Sequence, residues 1–376
     1  MKILILNYEY PPVGGGGGVA CLKLAEEYVR RGHTVDCVTT HFQDLPQNET
    51  VNGVNVFRVP VLGGRTKSAA GFMSLVSFPL CAFRKAIHLC NENKYDVIDT
   101  HFAVPTGPLG VWVSKLKKIP LNLFIYGGDI YDPSKKLSPH NHAIFRTVVN
   151  YVLNNSFRVI AESNNIKDSV FLYYKCKKSV EVIPVAFDYY SFKPASRTEL
   201  KLNMDKKYLI SVGRLVKRKD YDTLLKAFVE LGRQDVEILL LGSGPEMEHL
   251  KGLAATLKIE NKVHFLGFVS EEEKYQYLNI SDVYVLSSLH EGFGIVLQEA
   301  MQVGLPIIAT NHGGQVDLIE DGVNGFLVDV GDFKAIAGHV EKLLDDKALA
   351  GSFRDANLSK VKRYSAGNIV RRVIKG

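Results

Sequence analysis

Two glutamates separated by seven residues, Glu291 and Glu299, frame the segment EGFGIVLQEAMQVGLPIIAT. The first lies in a loop after the apolar, β-branched run Asp282–Leu286, and the second in a stretch of helical period, Ile295–Val303. The intervening Gly292-Phe293-Gly294 turn suits close approach of backbone to a ligand, although glycine also serves a plain tight turn. The first N–H groups of a helix starting near Ile295 and Val296 offer partial positive charge to an anion. A phosphate fits such a place. A second charged group follows the run Tyr208–Val212, where GRLVKRK puts Arg214 and Lys219 at a strand end. Arginine grips phosphate oxygens in a fork and lysine adds a mobile point charge, so the pair suits a diphosphate, with a solvated basic turn as the plain alternative.

These groups need a scaffold that brings strand ends together. Continuous apolar runs such as Lys2–Asn7, Tyr95–Thr100, Leu121–Tyr126, Val236–Leu241 and Val263–Phe268 alternate with helical periods, which predicts parallel α/β sheets. Ligands in such sheets bind outside the carboxyl ends of strands. The loops found there carry Gly14–Gly18, then His101, then Gly127-Gly128-Asp129, and further on Gly242-Ser243-Gly244. A lone histidine such as His101 is more often structural than catalytic. The broad apolar face of Ile295, Leu297, Ala300 and Met301 leaves Gln298, Glu299 and Gln302 on the other side, so a solvated carboxylate is the plain reading of Glu299.

With 376 residues, the chain has room for two domains. The segment 187–197 reads as the linker, because it is polar, contains Pro194 and precedes a fresh α/β pattern. Five cysteines without a CxxC argue against a disulfide framework or zinc site and suit a reducing cytoplasm. Met1 runs directly into a strand, so no secretion signal is expected. The apolar stretch Ala69–Phe83 falls short of the roughly 20 residues a bilayer requires. Residues 1–195 hold 22 Lys and Arg against 15 Asp and Glu, and residues 196–376 hold 24 against 25. That excess, with the basic loop Gly63–Ser68, the segment Ala70–Cys90 read as one broken helix, and pairs such as Arg84-Lys85 and Lys135-Lys136, is either solvated surface or an attraction to anionic headgroups. No compact basic, aromatic-interleaved motif points to nucleic acid.

Glu291 and Glu299 within this segment resemble the two-glutamate motif of retaining glycosyltransferases of family four, and the resemblance extends over nearly the whole chain. It implies the GT-B fold: two Rossmann-like, doubly wound parallel-sheet domains facing a central cleft. The implied division is 1–190 for the acceptor, 191–363 for a nucleoside diphosphate sugar, and a C-terminal helix, 364–376, crossing back to the first domain. By the same resemblance Glu291, Asp129 and His101 are the candidate catalytic residues. Donor binding falls to Gly15, Gly16, Arg214, Lys219, Gly242, Gly244, Phe268, Val269, Gly292, Phe293, Gly294, Ile295, Val296 and Glu299, together with Glu291. Phe268-Val269 would meet the nucleobase, Glu299 the ribose and Glu291 the sugar hydroxyls. The family's sugar-contacting histidine is replaced by Tyr126, for which His101 could substitute. An Asp-x-Asp metal motif is not expected, and with it no metal and no other cofactor. The expected partners are a nucleoside diphosphate sugar and a glycan or lipid-linked acceptor. The setting would be cytoplasmic, peripheral on the inner face of a bacterial membrane, in surface polysaccharide or lipopolysaccharide assembly. A sugar-nucleotide epimerase, a phosphorylase or a non-catalytic sugar-nucleotide-binding subunit would share the architecture.

Overall fold

The computed structural model describes residues 1–63, 71–134 and 138–375. Most of the basic loop expected over Gly63–Ser68, and the Lys135-Lys136 pair, lie outside the described residues. The chain forms two compact units, Met1–Asp188 with Ser365–Gly376, and Tyr189–Tyr364.

The first unit opens with β1 (Lys2–Asn7), α1 (Gly16–Arg30), β2 (Thr34–Thr40), β3 (Asn48–Val51) and β4 (Val54–Val59). Then come α2 (Phe72–Glu92), β5 (Val97–His101), α3 (Gly107–Lys117), β6 (Leu121–Ile125) and α4 (Gly127–Ile130). It continues with α5 (Ala143–Asn155), β7 (Arg158–Ala161), α6 (Asn164–Tyr173) and β8 (Val180–Val182). Its eight strands lie in the order β3-β4-β2-β1-β5-β6-β7-β8, all parallel except β3 against β4. A sheet covered on both faces needs strands apolar on both sides, and β1 and β6 are buried nearly throughout. The β3–β4 hairpin was not anticipated, because NETV is too polar to read as a strand. Its signal was the Asn52-Gly53 turn, whose φ values of 49° and 83° suit a two-residue hairpin.

Three expectations need correction here. The glycine run is not all loop, since α1 begins at Gly16. The segment 187–197 does contain the crossing, between Asp188 and Tyr189, but it begins inside the first unit, where Phe187 is fully buried and pairs with Ser365. Finally, α2 is one continuous helix of 21 residues carrying Pro79, and by length and composition it could cross a membrane. Its inner side is nevertheless built into the unit, with Phe78, Ala82, Ala86 and Leu89 in the core.

The second unit holds β9 (Lys207–Val212), α7 (Tyr221–Leu231), β10 (Val236–Leu241), α8 (Met247–Thr256), β11 (Val263–Gly267) and α9 (Glu271–Ile280). It goes on with β12 (Val283–Leu286), α10 (Ile295–Gln302), β13 (Ile307–Thr310), β14 (Gly325–Val328), α11 (Phe333–Asp345) and α12 (Lys347–Lys360). Its six parallel strands run β11-β10-β9-β12-β13-β14. The order reverses between β9 and β12, which makes this the sheet's switch point. The chain then returns, and α13 (Ala366–Lys375) belongs to the first unit. There Arg158 donates to the Val373 carbonyl and Arg31 to the Gly367 carbonyl, each at 2.6 Å.

Candidate active site

The switch point of the second unit is where the charged residues meet. Buried Glu291, from the loop after β12, receives Lys219 Nζ at 2.7 Å on Oε1 and Arg218 Nη1 at 2.8 Å on Oε2. Ser288 Oγ donates to Oε1 at 2.7 Å. Burial alone would raise the Glu291 carboxyl, but the Lys219 ammonium and the Arg218 guanidinium outweigh it and hold the pKa at about 2. Arg218 also donates to the His290 carbonyl, and Leu289 N–H to the Arg218 carbonyl at 2.8 Å, so the two loops are stitched together. Arg214 differs from both cations: it is exposed and its guanidinium shows no ion pair or hydrogen bond among the described residues. The cluster therefore has one internal carboxylate and two cations engaged with it, and the same loop carries Arg214 and Lys217 exposed and without side-chain partners among the described residues.

Glu299 is not the solvated carboxylate that its helix face suggested. It is buried, and Lys274 of α9 reaches its Oε1 with Nζ at 2.8 Å. Burial works against the Lys274 charge, yet Glu299 and Glu271 hold its pKa above the usual lysine value. The buried Glu299 Oε2 has no hydrogen-bond partner among the described residues. An acceptor left unbonded in a buried place fits an incoming hydroxyl. At the start of α10, Gly294 adopts φ 100° and no side chain caps the first turn. Phe293 is buried, Gly292, Ile295 and Val296 are half-buried, and the first-turn N–H groups head a helix of eight residues.

Other expected donor residues serve the packing of the loops. A Cβ on Gly242 would strike the Gly213 carbonyl and one on Gly244 the Leu215 carbonyl, so these glycines let two loops pack backbone on backbone. Phe268 is 87% exposed at the end of edge strand β11, with Val269 half-buried beside it. A ring that open has its face available for stacking.

In the first unit the candidates are tied inward. His101 is not in a loop; it is the last residue of β5, fully buried, with Nδ1 2.6 Å from Tyr126 Oη and its ring stacked on Phe124. Burial raises the Tyr126 phenol far above its usual range, so this pair is neutral on the tyrosine side. Asp129 is buried and accepts the backbone N–H groups of Tyr126 and Ala103, clamping two strand-end loops to each other. Neither side chain presents a reactive group at the surface. Gly15 donates its N–H to Glu9 Oε2 at 2.8 Å, and Gly16 is the first residue of α1, so an internal carboxylate holds that helix start.

Several participants escaped the sequence. Arg218, Ser288 and Lys274 are known only from the ion pairs and hydrogen bonds above. The loop after β13 also belongs here: Gly314 N–H donates to the Glu291 carbonyl at 2.7 Å, and a Cβ on Gly313 would lie 2.6 Å from that same oxygen. The expectation of no Asp-x-Asp motif overlooks Asp220-Tyr221-Asp222. Asp220, at φ 47°, accepts from Thr223 Oγ1 at 2.6 Å, and Asp222 Oδ2 lies 2.8 Å from His249 Nε2. Among the described residues no group of three or more His, Cys, Asp or Glu is placed to hold a metal. All five cysteines are free thiols.

Two Rossmann-like parallel-sheet domains are the architecture of GT-B proteins, and the switch point of the second carries the charged cluster. The chain belongs to glycosyltransferase family four: residues 192–359 match the family of glycosyl transferases group 1, and residues 14–189 match Glycosyltransferase Family 4. It is 31% identical to an uncharacterised glycosyltransferase of Methanocaldococcus jannaschii, over 100% of this chain and 97% of the other. A lipopolysaccharide core biosynthesis glycosyltransferase of Rhizobium meliloti is 35% identical over 41% of this chain and 44% of its own. Among solved structures, the Anabaena protein HepE in complex with UDP-glucose superposes with a TM-score of 0.78 at 22% identity, covering 100% of this chain and 98% of that one.

Proposed function

We propose that this glycosyltransferase moves a sugar, with retention of configuration and without a metal, from a nucleoside diphosphate sugar to a glycan or lipid-linked acceptor. The observation that carries the reading is the switch-point cluster: Glu291 held by Lys219 and Arg218, Arg214 unengaged on the same loop as these cations, and an unbonded carboxylate oxygen on buried Glu299. In this reading the ribose hydroxyls bond Glu299, Phe268 stacks on the base, and Glu291 orients the sugar. Cleaving the bond from the anomeric carbon to phosphate oxygen leaves charge on the diphosphate. Arg214, Lys219 and the uncapped start of α10 stabilise that charge, which is the task a divalent cation performs elsewhere. The UDP-glucose complex of the Anabaena protein supports a uridine donor, and the Rhizobium relative supports surface-polysaccharide or lipopolysaccharide assembly. The five free thiols and the use of nucleotide sugars suit the cytoplasm.

Incubation with UDP- and GDP-sugars and a lipid-linked or glycan acceptor, in chelator, tests this. A product with the donor's anomeric configuration is expected, and an inverted anomer or dependence on added metal would contradict it. A second reading has one observation in its favour: Tyr126, at the place of the family's sugar-contacting histidine, has its hydroxyl committed to His101. That suits a subunit that binds sugar nucleotide without turnover, and the same assay would then show binding and no product.

A further inference from the structure

Helices α2, α3 and α5 cover one face of the first sheet and share its core, through Phe78 and Ala82, Val111 and Val113, and Val149 and Val152. They are also joined at the surface. Phe83 meets Trp112 edge-on at 6.5 Å between ring centroids, and Lys115 Nζ lies 5.1 Å from the centre of the Tyr151 ring.

The outward side of these helices is apolar and cationic together. On α2, Phe72, Val76 and Leu80 stand in one row at four-residue spacing, 56%, 51% and 64% exposed, and the next place in the row is the exposed Arg84. On α3, Trp112 and Leu116 are exposed beside Lys115, and on α5, Ile144 is 78% exposed and Tyr151 lies open as well. No Asp or Glu occurs in 72–91, 107–117 or 143–155, whereas Arg84, Lys85, Lys115, Lys117 and Arg146 do. A solvated surface mixes both signs and keeps large apolar side chains scattered. A nucleic-acid surface would have the cations without a row of bare Phe, Val and Leu. A second copy of the same face would bring like charges together.

We infer that the outward face of α2, α3 and α5 docks on an anionic lipid bilayer. The row Phe72, Val76 and Leu80, with Trp112, enters the boundary between headgroups and acyl chains, while Arg84 and Lys115 reach lipid phosphates. The helices lie in the interface and do not span it, because the opposite side of α2 is fixed in the core. This goes beyond sugar transfer and does not depend on it.

Trp112 is the one tryptophan of the chain, so it reports on this face without labelling. The probes are vesicles of phosphatidylcholine alone or with about one third phosphatidylglycerol, made with or without brominated acyl chains. On anionic vesicles at low salt, Trp112 emission is expected to shift to the blue and to be quenched by bromine, with both effects reversed by salt. Replacing Arg84→Gln together with Lys115→Gln should weaken partition roughly thirtyfold. The Val76→Glu, Leu80→Glu double variant should abolish quenching while leaving the thermal transition and nucleotide binding unchanged, since both side chains are exposed. Unquenched Trp112, or equal partition of the double variant and wild type, would overturn the inference. So would lipid-independent self-association that the double variant abolishes, which would assign the face to a second copy.

Discussion

His101, Tyr126 and Asp129 in the first unit, and Lys219, Glu291 and Glu299 in the second, are all buried polar residues in or beside the loops at strand ends. Their partners differ. In the first unit the partners are neutral or backbone: His101 Nδ1 meets the Tyr126 hydroxyl, leaving its buried Nε2 without a hydrogen bond among the described residues, and Asp129 accepts two N–H groups. In the second, carboxylates face ammonium and guanidinium groups, Arg214 is left over, and one Glu299 oxygen is unbonded. The first arrangement holds loops in place, and the second can also exchange an internal ion pair for a ligand. Buried carboxylates titrate accordingly. Burial raises Asp99, which has Tyr28 and Asn122 rather than a cation for hydrogen-bond partners, whereas Glu291 is held at about 2.

The comparison is sharpest at Glu291. Glu291→Gln leaves Lys219 and Arg218 buried without a counter-charge and should cost about 3–5 kcal/mol, read as a melting point roughly ten degrees lower. The pH dependence has a sign. A folded pKa below the unfolded value gives stability that is complete above about pH 4.5 and is lost as pH falls toward 2, and the variant should lack this acid limb. Asp99 runs the other way, its contribution being lost as pH rises, so Asp99→Asn should flatten the opposite limb. Similar limbs for the two variants would erase the distinction between the units.

Arg214→Ala should slow transfer by about two orders of magnitude. Because the Arg214 side chain is exposed and unengaged, stability should barely change, by about 0.5 kcal/mol at most. Asp129→Asn is its mirror image: a loss of about 2 kcal/mol in stability, from two backbone bonds to a charged acceptor, with nucleotide affinity unchanged. If Asp129→Asn instead weakened nucleotide binding at full stability, the first unit would hold donor chemistry after all. The smallest effect belongs to Phe268→Ala, which should weaken the donor about tenfold through lost stacking and leave stability as it is.

The sequence made the parallel strands, the two-glutamate segment and the GRLVKRK loop legible, because apolar runs and glycine turns are local signals. It did not reveal which cation would meet which carboxylate. Arg218 reaches Glu291 across 73 residues and Lys274 reaches Glu299 across 25, and both depend on which strands and helices become neighbours. The same dependence misled the reading of Glu299, whose helix face looked solvated although the residue is buried with Lys274 of α9 on its carboxylate. His101 was misplaced by one residue, since a strand that ends at His101 and not at Thr100 turns a loop histidine into a core one. The glycines at 242 and 244 were legible as a turn, but only the Gly213 and Leu215 carbonyls explain why the turn must be glycine.

The central claim, that the second unit's switch point is a nucleotide-sugar site, is tested most directly by thermal unfolding with UDP, GDP, ADP, CMP and dTDP, on wild type and Glu299→Ala. A ligand at a hundred times its dissociation constant adds about 2.7 kcal/mol, a rise of several degrees. One nucleotide should produce that rise in wild type and a much smaller one in Glu299→Ala. No rise with any nucleotide, or the same rise in both proteins, would contradict the assignment.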